Sequence, residues 1–194
     1  MNQSEREKKL WEQQSEAWYA AIGRFVVKFE YLCHQMSTCI VFVLHSDGLR
    51  TQNLAQALLA DVTAHPLLQS FRAVVAEVRK NEADDMRILD NVSKRVETLI
   101  KQRNDVIHRT WWVGGAASKD EDLKIHSIKF KKTKGGPEFS PRVGTVSDFN
   151  NLSSEADELS KIIFIMDGCL GLNEPFSKLF KVDGDGTVRL SEKG

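Results

Sequence analysis

The chain has 194 residues, a length that suits one domain or one domain with an appendage. Hydrophobic residues make up 41% of it and charged residues 28%, so the composition favours a globular core over disorder. The 27 basic residues balance the 27 acidic ones, which argues against a dedicated nucleic-acid scaffold but leaves room for a local basic site.

Neither a signal peptide nor a membrane-spanning segment is expected from the sequence. Residues 1–9 are polar and no apolar segment follows them as in a signal peptide. The longest wholly apolar run, residues 39–44, is too short to cross a bilayer. We therefore expect a cytoplasmic protein with no membrane partner.

A long first helix is predicted by apolar residues spaced alternately by three and four. Ser4 and Glu7 have the capping-box pattern that can open it, and Gly48 can end it because glycine readily adopts positive φ. The seam consists of Trp18, Ile22, Phe25, Phe29, Leu32, Met36, Cys39 and Val43. A stripe of this kind is more typical of a buried core than of a cofactor site.

Three more helices are predicted before residue 111. Thr51 can cap a short second helix that runs to Val62. A third is predicted from the break at residues 63–66 to about residue 80, since proline is tolerated in a first turn. A fourth is predicted over about residues 84–110. The apolar face of the second helix is Leu54, Leu58 and Val62, and the seam of the fourth is Leu89, Val92, Val96, Leu99, Arg103, Val106 and Thr110.

The composition changes after Trp112, where a β-hairpin is predicted between two helices. Its strands are predicted at residues 124–132 and 139–146, joined by a turn at residues 135–137. Pro141 disfavours the second strand because proline cannot donate a backbone hydrogen bond. A last helix opens at Ser147 or Asp148 and ends near Gly171, and residues 181–190 form a turn between short extended pieces.

The predicted fold is mainly α, an up-and-down helical bundle with an inserted β-hairpin after the fourth helix. We divide the chain into a polar N-terminal extension (1–15), a helical domain (16–172, with the insert at about 120–146) and a C-terminal tail (173–194).

Arg103 is the anomaly of the fourth helix, because a charged side chain on a buried face is costly unless it is paired. His108 follows five residues later, about 140° round an ideal helix, so the two side chains cannot stack on one face. Asn104 and His108, four residues apart, can. A single site built from Arg103 and His108 therefore requires a distorted helix or two copies of the motif across a dimer.

These three residues have the chemistry for RNA cleavage without a metal. The ribose 2′-hydroxyl is an internal nucleophile held beside its phosphate, and His108 can take its proton. Arg103 can donate bidentate hydrogen bonds to the transition state, while Asn104 orients His108 or contacts a phosphate oxygen. The alternative is structural, since cations are favoured near the end of any helix.

Residues 103–108 (Arg-Asn-Asp-Val-Ile-His), followed closely by Trp111 and Trp112, resemble the signature of the HEPN superfamily. These are small α-helical domains, many of them metal-independent ribonucleases of toxin–antitoxin and phage-defence systems. The Phe29-Glu30 step and a closing helix after a strand-like insert are also similar. The resemblance implies a bundle that dimerises and forms a composite cleft from both motif copies. Some members carry a modified tyrosine where this chain has Thr110, so that regulation is not expected here.

Further candidate substrate-binding residues are Glu30, Lys129, Lys131, Lys132 and Trp111. Glu30 could pair with Arg103, orient His108, or be a solvated carboxylate. The lysines could contact phosphates or protect a sheet edge from pairing. Trp111 could stack on bases or pack against the end of the bundle.

The predicted function is that of a metal-independent HEPN-type endoribonuclease, as a toxin or phage-defence effector. The alternative is a non-catalytic, dimeric HEPN-like module that binds a partner protein or a nucleotide. Expected partners are a second copy, RNA, and an antitoxin or regulatory protein. No cofactor and no metal are expected.

Overall fold

A computed structural model describes residues 3–113 and 124–191, apart from the side chain of Lys131. In chain order the helices and strands are α1 (Gln3–Ser46), α2 (Gln52–Leu59), α3 (Ala64–Arg79), α4 (Ala83–Ile107), β1 (Thr110–Trp112), β2 (Lys124–Thr133), β3 (Gly136–Thr145), α5 (Val146–Gly171), a short 3-10 helix (Phe176–Lys178), β4 (Phe180–Val182) and β5 (Val188–Leu190). The predicted fold class is confirmed: the chain is mainly α, with an antiparallel hairpin after the fourth helix. Residues 114–123, which include the start of the predicted insert at about residue 120, lie outside the described residues.

The chain divides into two units. The first contains residues 1–29 and 102–155, and the second contains residues 30–101 and 156–194. The helices α1, α4 and α5 each contribute residues to both units.

The predicted seam of α1 is confirmed by its burial. Seven of its eight residues are buried, from Trp18 to Val43, and Ile22 is half-buried. The helix ends at Ser46, and Gly48 adopts the expected positive φ of 105°. Regular three- and four-residue spacing keeps one face of the helix apolar from Trp18 to Val43.

The predicted apolar face of the second helix is wrong. Helix α2 ends at Leu59 rather than at Val62, and Leu54 and Leu58 are exposed. Ala55 is the buried residue instead. Leu54 precedes it by one residue, about 100° round the helix, so the larger side chain is turned towards solvent.

The fourth helix is shorter than predicted. It ends at Ile107, and Thr110 belongs to β1, a third strand that the sequence reading did not predict. Strand β1 pairs antiparallel with β2, so that Thr110 lies opposite Ile128. A β-branched residue followed by two tryptophans favours a strand, which explains why the helix does not continue.

The hairpin has a tight two-residue connection. Thr133 pairs with Gly136, which leaves residues 134–135 as the turn, and Gly136 has a φ of 115°. Strand β3 begins three residues earlier than predicted and includes Pro141. The strand order is β1-β2-β3, so β3 is an edge strand, where a missing N–H group is tolerated.

Helix α5 follows β3 without a loop and begins at Val146, one residue before the predicted Ser147. Thr145 and Asp148 form a reciprocal capping box. The Thr145 N–H donates to Asp148 Oδ2 at 2.9 Å, and the Asp148 N–H donates to Thr145 Oγ1 at 3.1 Å.

The end of the chain forms the predicted turn between extended pieces, β4 and β5, and packs within the second unit. A buried ion pair is part of this packing. Arg79 Nε lies 3.7 Å from Asp85 Oδ2, and the Arg79 guanidinium lies over the Phe176 ring and donates to the Glu174 carbonyl. Asp85 Oδ1 accepts from the Ser177 N–H at 3.1 Å. Among the helices described, none is long and apolar enough to span a bilayer.

Candidate active site at the end of the fourth helix

Arg103 lies half-buried on the seam of α4, in the phase that the sequence predicts. Its guanidinium carbon is 5.5 Å from the centre of the Phe29 ring, and Nη1 donates to Asn104 Oδ1 over a long 3.4 Å. The aromatic face therefore offsets part of the cost of taking the cation out of water. Both contacts are made within the first unit.

His108 lies one residue beyond the end of α4 and is exposed. Its N–H donates to the Asn104 carbonyl at 3.2 Å, so the backbone keeps a helical path to this point. Within the part of the chain that the structure covers, no side chain is hydrogen-bonded to the imidazole. Both ring nitrogens are thus open to a substrate. Asn104, one turn earlier, is exposed as well.

The helix is regular through Ile107, so the distortion considered from the sequence is not found. The offset of about 140° between residues five apart therefore applies to Arg103 and His108. Arg103 and His108 therefore lie on different sides of the α4 axis.

Asp105, in the middle of the motif, is the centre of a cationic cluster. Its Oδ2 accepts from Arg109 Nε at 3.0 Å and from Arg142 Nη1 at 2.8 Å. Its Oδ1 lies 3.5 Å from Lys129 Nζ. Partial burial favours the neutral acid, but the hydrogen bonds from Arg109 and Arg142 outweigh it and lower the pKa of Asp105 to about 2. Three cations around one carboxylate leave a local excess of positive charge.

The cluster connects the end of α4 to both strands of the hairpin. Arg109 follows the helix and also donates to the Ser140 carbonyl at 2.7 Å, while Lys129 is on β2 and Arg142 on β3. Arg109 is almost fully buried, whereas the side chain of Arg142 is 39% exposed. Arg142 is thus the cation of this group that a ligand reaches most easily.

Trp111 packs inside the first unit. Its ring stands edge-on to Phe149 with the centroids 5.3 Å apart, and its Nε1 donates to the Val106 carbonyl at 2.8 Å. A Cβ at Gly144 would lie 3.2 Å from this ring, a tight contact that would require the ring to shift by a few tenths of an ångström. Trp112, by contrast, is exposed.

The other predicted substrate-binding residues are spread over the two units. Glu30 is exposed on α1 and belongs to the second unit. Lys132 is exposed near the hairpin turn, and the side chain of Lys131 is outside the described part. Beside them, Phe130 and Phe139 form an exposed cross-strand pair with centroids 4.9 Å apart, which the sequence reading missed.

Asp105, Arg109 and Arg142 were also missed. Only the four-residue spacing of Asp105 and Arg109 is a local signal, since it suits an ion pair on a helix. Arg142 lies 37 residues from Asp105, and nothing in the sequence pairs the two.

Within residues 3–113 and 124–191, no three His, Cys, Asp or Glu side chains are grouped as they would be to hold a metal ion. Comparison of the chain with models of known protein families, with curated proteins and with solved structures gives no match. The resemblance to the HEPN superfamily therefore rests on the motif of residues 103–108.

Proposed function

We propose that this protein is a metal-independent endoribonuclease of the HEPN type, acting in the cytoplasm as a toxin or phage-defence effector. The observation that supports it most is the exposed imidazole of His108, one residue before Arg109 of the cationic cluster. A general base beside an excess of positive charge suits a phosphodiester substrate.

In the proposed reaction, His108 takes the proton of a ribose 2′-hydroxyl. The 2′-oxygen attacks the neighbouring phosphorus and the bond to the 5′-oxygen breaks, which leaves a 2′,3′-cyclic phosphate. A second His108, protonated and supplied by a second copy, gives the proton to the departing 5′-oxygen. Acid and base are then the same residue in two protonation states.

Arg103 is proposed to stabilise the charge that develops on the phosphate oxygens. It is half-buried over Phe29, and electrostatic interactions are stronger where water is partly excluded. Because Arg103 and His108 leave a regular helix about 140° apart, a cleft between two chains is the arrangement that brings both to one phosphate. The proposal therefore includes a homodimer.

The hairpin is proposed to hold the RNA strand next to this cleft. Arg142, Lys129 and Lys132 offer cations for phosphate groups, and the exposed Phe130–Phe139 pair offers ring faces for unpaired bases. An antitoxin or regulatory protein would block the same surface.

A non-catalytic module that dimerises and binds a partner protein or a nucleotide is the second candidate. It is favoured by the contacts of Arg103, which already stacks on Phe29 and contacts Asn104, and by the balanced formal charge. In that case Arg103 and His108 serve as a polar network at an interface.

The test is cleavage of mixed tRNA and mRNA by the purified full chain in EDTA. We expect fragments with 2′,3′-cyclic phosphate ends that disappear for His108→Ala and persist for His65→Ala, an exposed histidine in the second unit. Unchanged cleavage by a folded His108→Ala protein would refute the assignment. Absence of cleavage by the unmodified chain, together with loss of the dimer in Arg103→Ala, would favour the binding module.

A further inference from the structure

The second unit has a cavity of about 610 Å³ that the proposed nuclease reaction does not use. It lies between the C-terminal part of α5, the segment that follows it, and Phe42 of α1. Its volume falls in the range of small-molecule sites. Most of its lining is apolar, with Phe42, Phe164, Leu172 and Leu179 as the largest side chains.

The charged groups that line the cavity are two acids and one base. Lys178 is held by Glu174, with Nζ and Oε1 3.0 Å apart. Asp167 has no basic partner anywhere in the described ranges, and its Oδ1 is buried without a hydrogen-bond donor. Burial raises the pKa of Asp167, while a hydrogen bond with the Cys39 thiol opposes that effect.

We infer that this cavity binds a small organic cation, a protonated amine carried on an apolar body, with Asp167 as its counter-ion. An ammonium group supplies the opposite charge that Asp167 lacks within the described ranges. The apolar body removes the surface of Leu172 and the other apolar lining from water. An anion is disfavoured because Lys178 and Glu174 offset each other, which leaves the negative charge of Asp167 to repel it.

The aromatic lining favours the same class of ligand. Phe42 and Phe164 both line the cavity, and a cation is attracted to the face of an aromatic ring. Phe164 and Leu172, at the rim of the cavity, are 65% and 78% exposed. A ligand with an apolar body would cover these side chains and remove them from water.

The experiment compares three probes that share one body and differ in the head group: 4-phenylbutylamine, 4-phenylbutan-1-ol and 4-phenylbutyrate. Binding to the full chain is measured by isothermal titration calorimetry and ligand-observed NMR. We expect the amine to bind about tenfold more tightly than the alcohol, and the carboxylate to show no binding. Equal binding of amine and alcohol, or no binding of the amine, would overturn the inference.

Two variants locate the site. Asp167→Asn should reduce the affinity for the amine to that for the alcohol, whereas Asp157→Asn, on α5 but outside the cavity lining, should leave it unchanged.

Gly168 lines the cavity and a Cβ there meets no atom within 4 Å, so Gly168→Leu should fill the space and remove the binding of every probe. Amine binding that survives in Gly168→Leu, or unchanged in Asp167→Asn, would contradict the proposed site. Helical circular dichroism shows that each variant is folded.

Discussion

Asp105 accepts a hydrogen bond from Arg142 at 2.8 Å, and this contact joins the candidate motif to a strand that follows it by more than thirty residues. The same carboxylate binds Arg109, whose side chain is only 6% exposed. Asp105 therefore holds Arg109, the residue that follows His108 in the chain, and Arg142 in place, although it takes no part in the proposed reaction.

Asp105→Asn is expected to destabilise the protein by about 1–3 kcal/mol, because the nearly buried Arg109 loses the carboxylate to which it is bonded. Urea denaturation followed by circular dichroism measures the change. Asp183→Asn is the matched control: its partner Arg189 is 69% exposed, and exposed pairs contribute less than about 1 kcal/mol. A loss for Asp105→Asn no larger than that of the control would contradict the role given to Asp105.

The stabilising effect of Asp105 should disappear in acid. Its pKa is about 2 in the folded protein against an ordinary value of 3.8, so the charged form is favoured by folding. The contribution is therefore complete above about pH 4 to 5 and is lost as the pH falls towards 2. Unfolding free energies of the unmodified chain and of Asp105→Asn, measured between pH 6 and pH 2.5, should converge at the acid end. A constant difference over this range would show that the carboxylate charge is not responsible.

Arg103→Lys should lower RNA cleavage by about 100-fold or more while the protein stays folded. Lysine keeps the positive charge but loses the planar group that lies over Phe29 and that can donate two parallel hydrogen bonds to phosphate. Single-turnover cleavage rates measure the effect. Arg24→Lys is the control, since Arg24 is an exposed arginine of the same unit bonded to Asn150. Equal losses in the two variants would mean that Arg103 has no special function.

Asp167→Asn should raise the stability at neutral pH. Burial raises the pKa of this acid in the folded protein, so the folded state disfavours its charged form and loses stability as the pH rises through the titration. The neutral amide avoids this cost. The gain in melting temperature should be present at pH 7 and absent at pH 3, where both side chains are neutral; a gain of equal size at both values would point to another cause.

Gly23→Ala should stabilise α1 by about 0.5–1 kcal/mol, because alanine loses less backbone freedom than glycine on folding. Gly23 is an exposed residue inside the helix, and a Cβ there meets no atom within 4 Å. Gly48→Ala is expected to do the opposite, since Gly48 has a φ of 105°. Thermal unfolding of the two variants provides the comparison, and a destabilised Gly23→Ala would contradict it.

The spacing of apolar, charged and turn residues predicted the features that form within one continuous segment of the chain. The seam of α1, the charged interruption at Arg103 and the hairpin all follow from periodicity and turn residues, and the structure has them. The cluster at Asp105 could not be predicted in this way, because β2 and β3 bring Lys129 and Arg142 to it from distant positions. Contacts between residues that are distant in the chain produce no local sequence pattern from which they could be predicted.

The burial of Arg79 could have been predicted from its spacing in α3. It follows Phe71 and Val75 at four-residue intervals, so it continues their buried face, whereas the neighbouring Val78 is 49% exposed. Arg79 and Arg103 are thus the same kind of interruption, and each lies over a phenylalanine ring. Their surroundings differ: Arg79 is buried beside Asp85, whereas Arg103 is only half-buried and contacts the exposed Asn104.

The direct junction of β3 and α5 affects how this protein can be labelled. Thr145 is the last residue of the strand and the capping residue of the helix, so an inserted residue there would break the two hydrogen bonds that it shares with Asp148. The turn at residues 134–135 is exposed. A fluorophore or an affinity tag is therefore best introduced at this turn, where its signal would report on RNA approaching the hairpin.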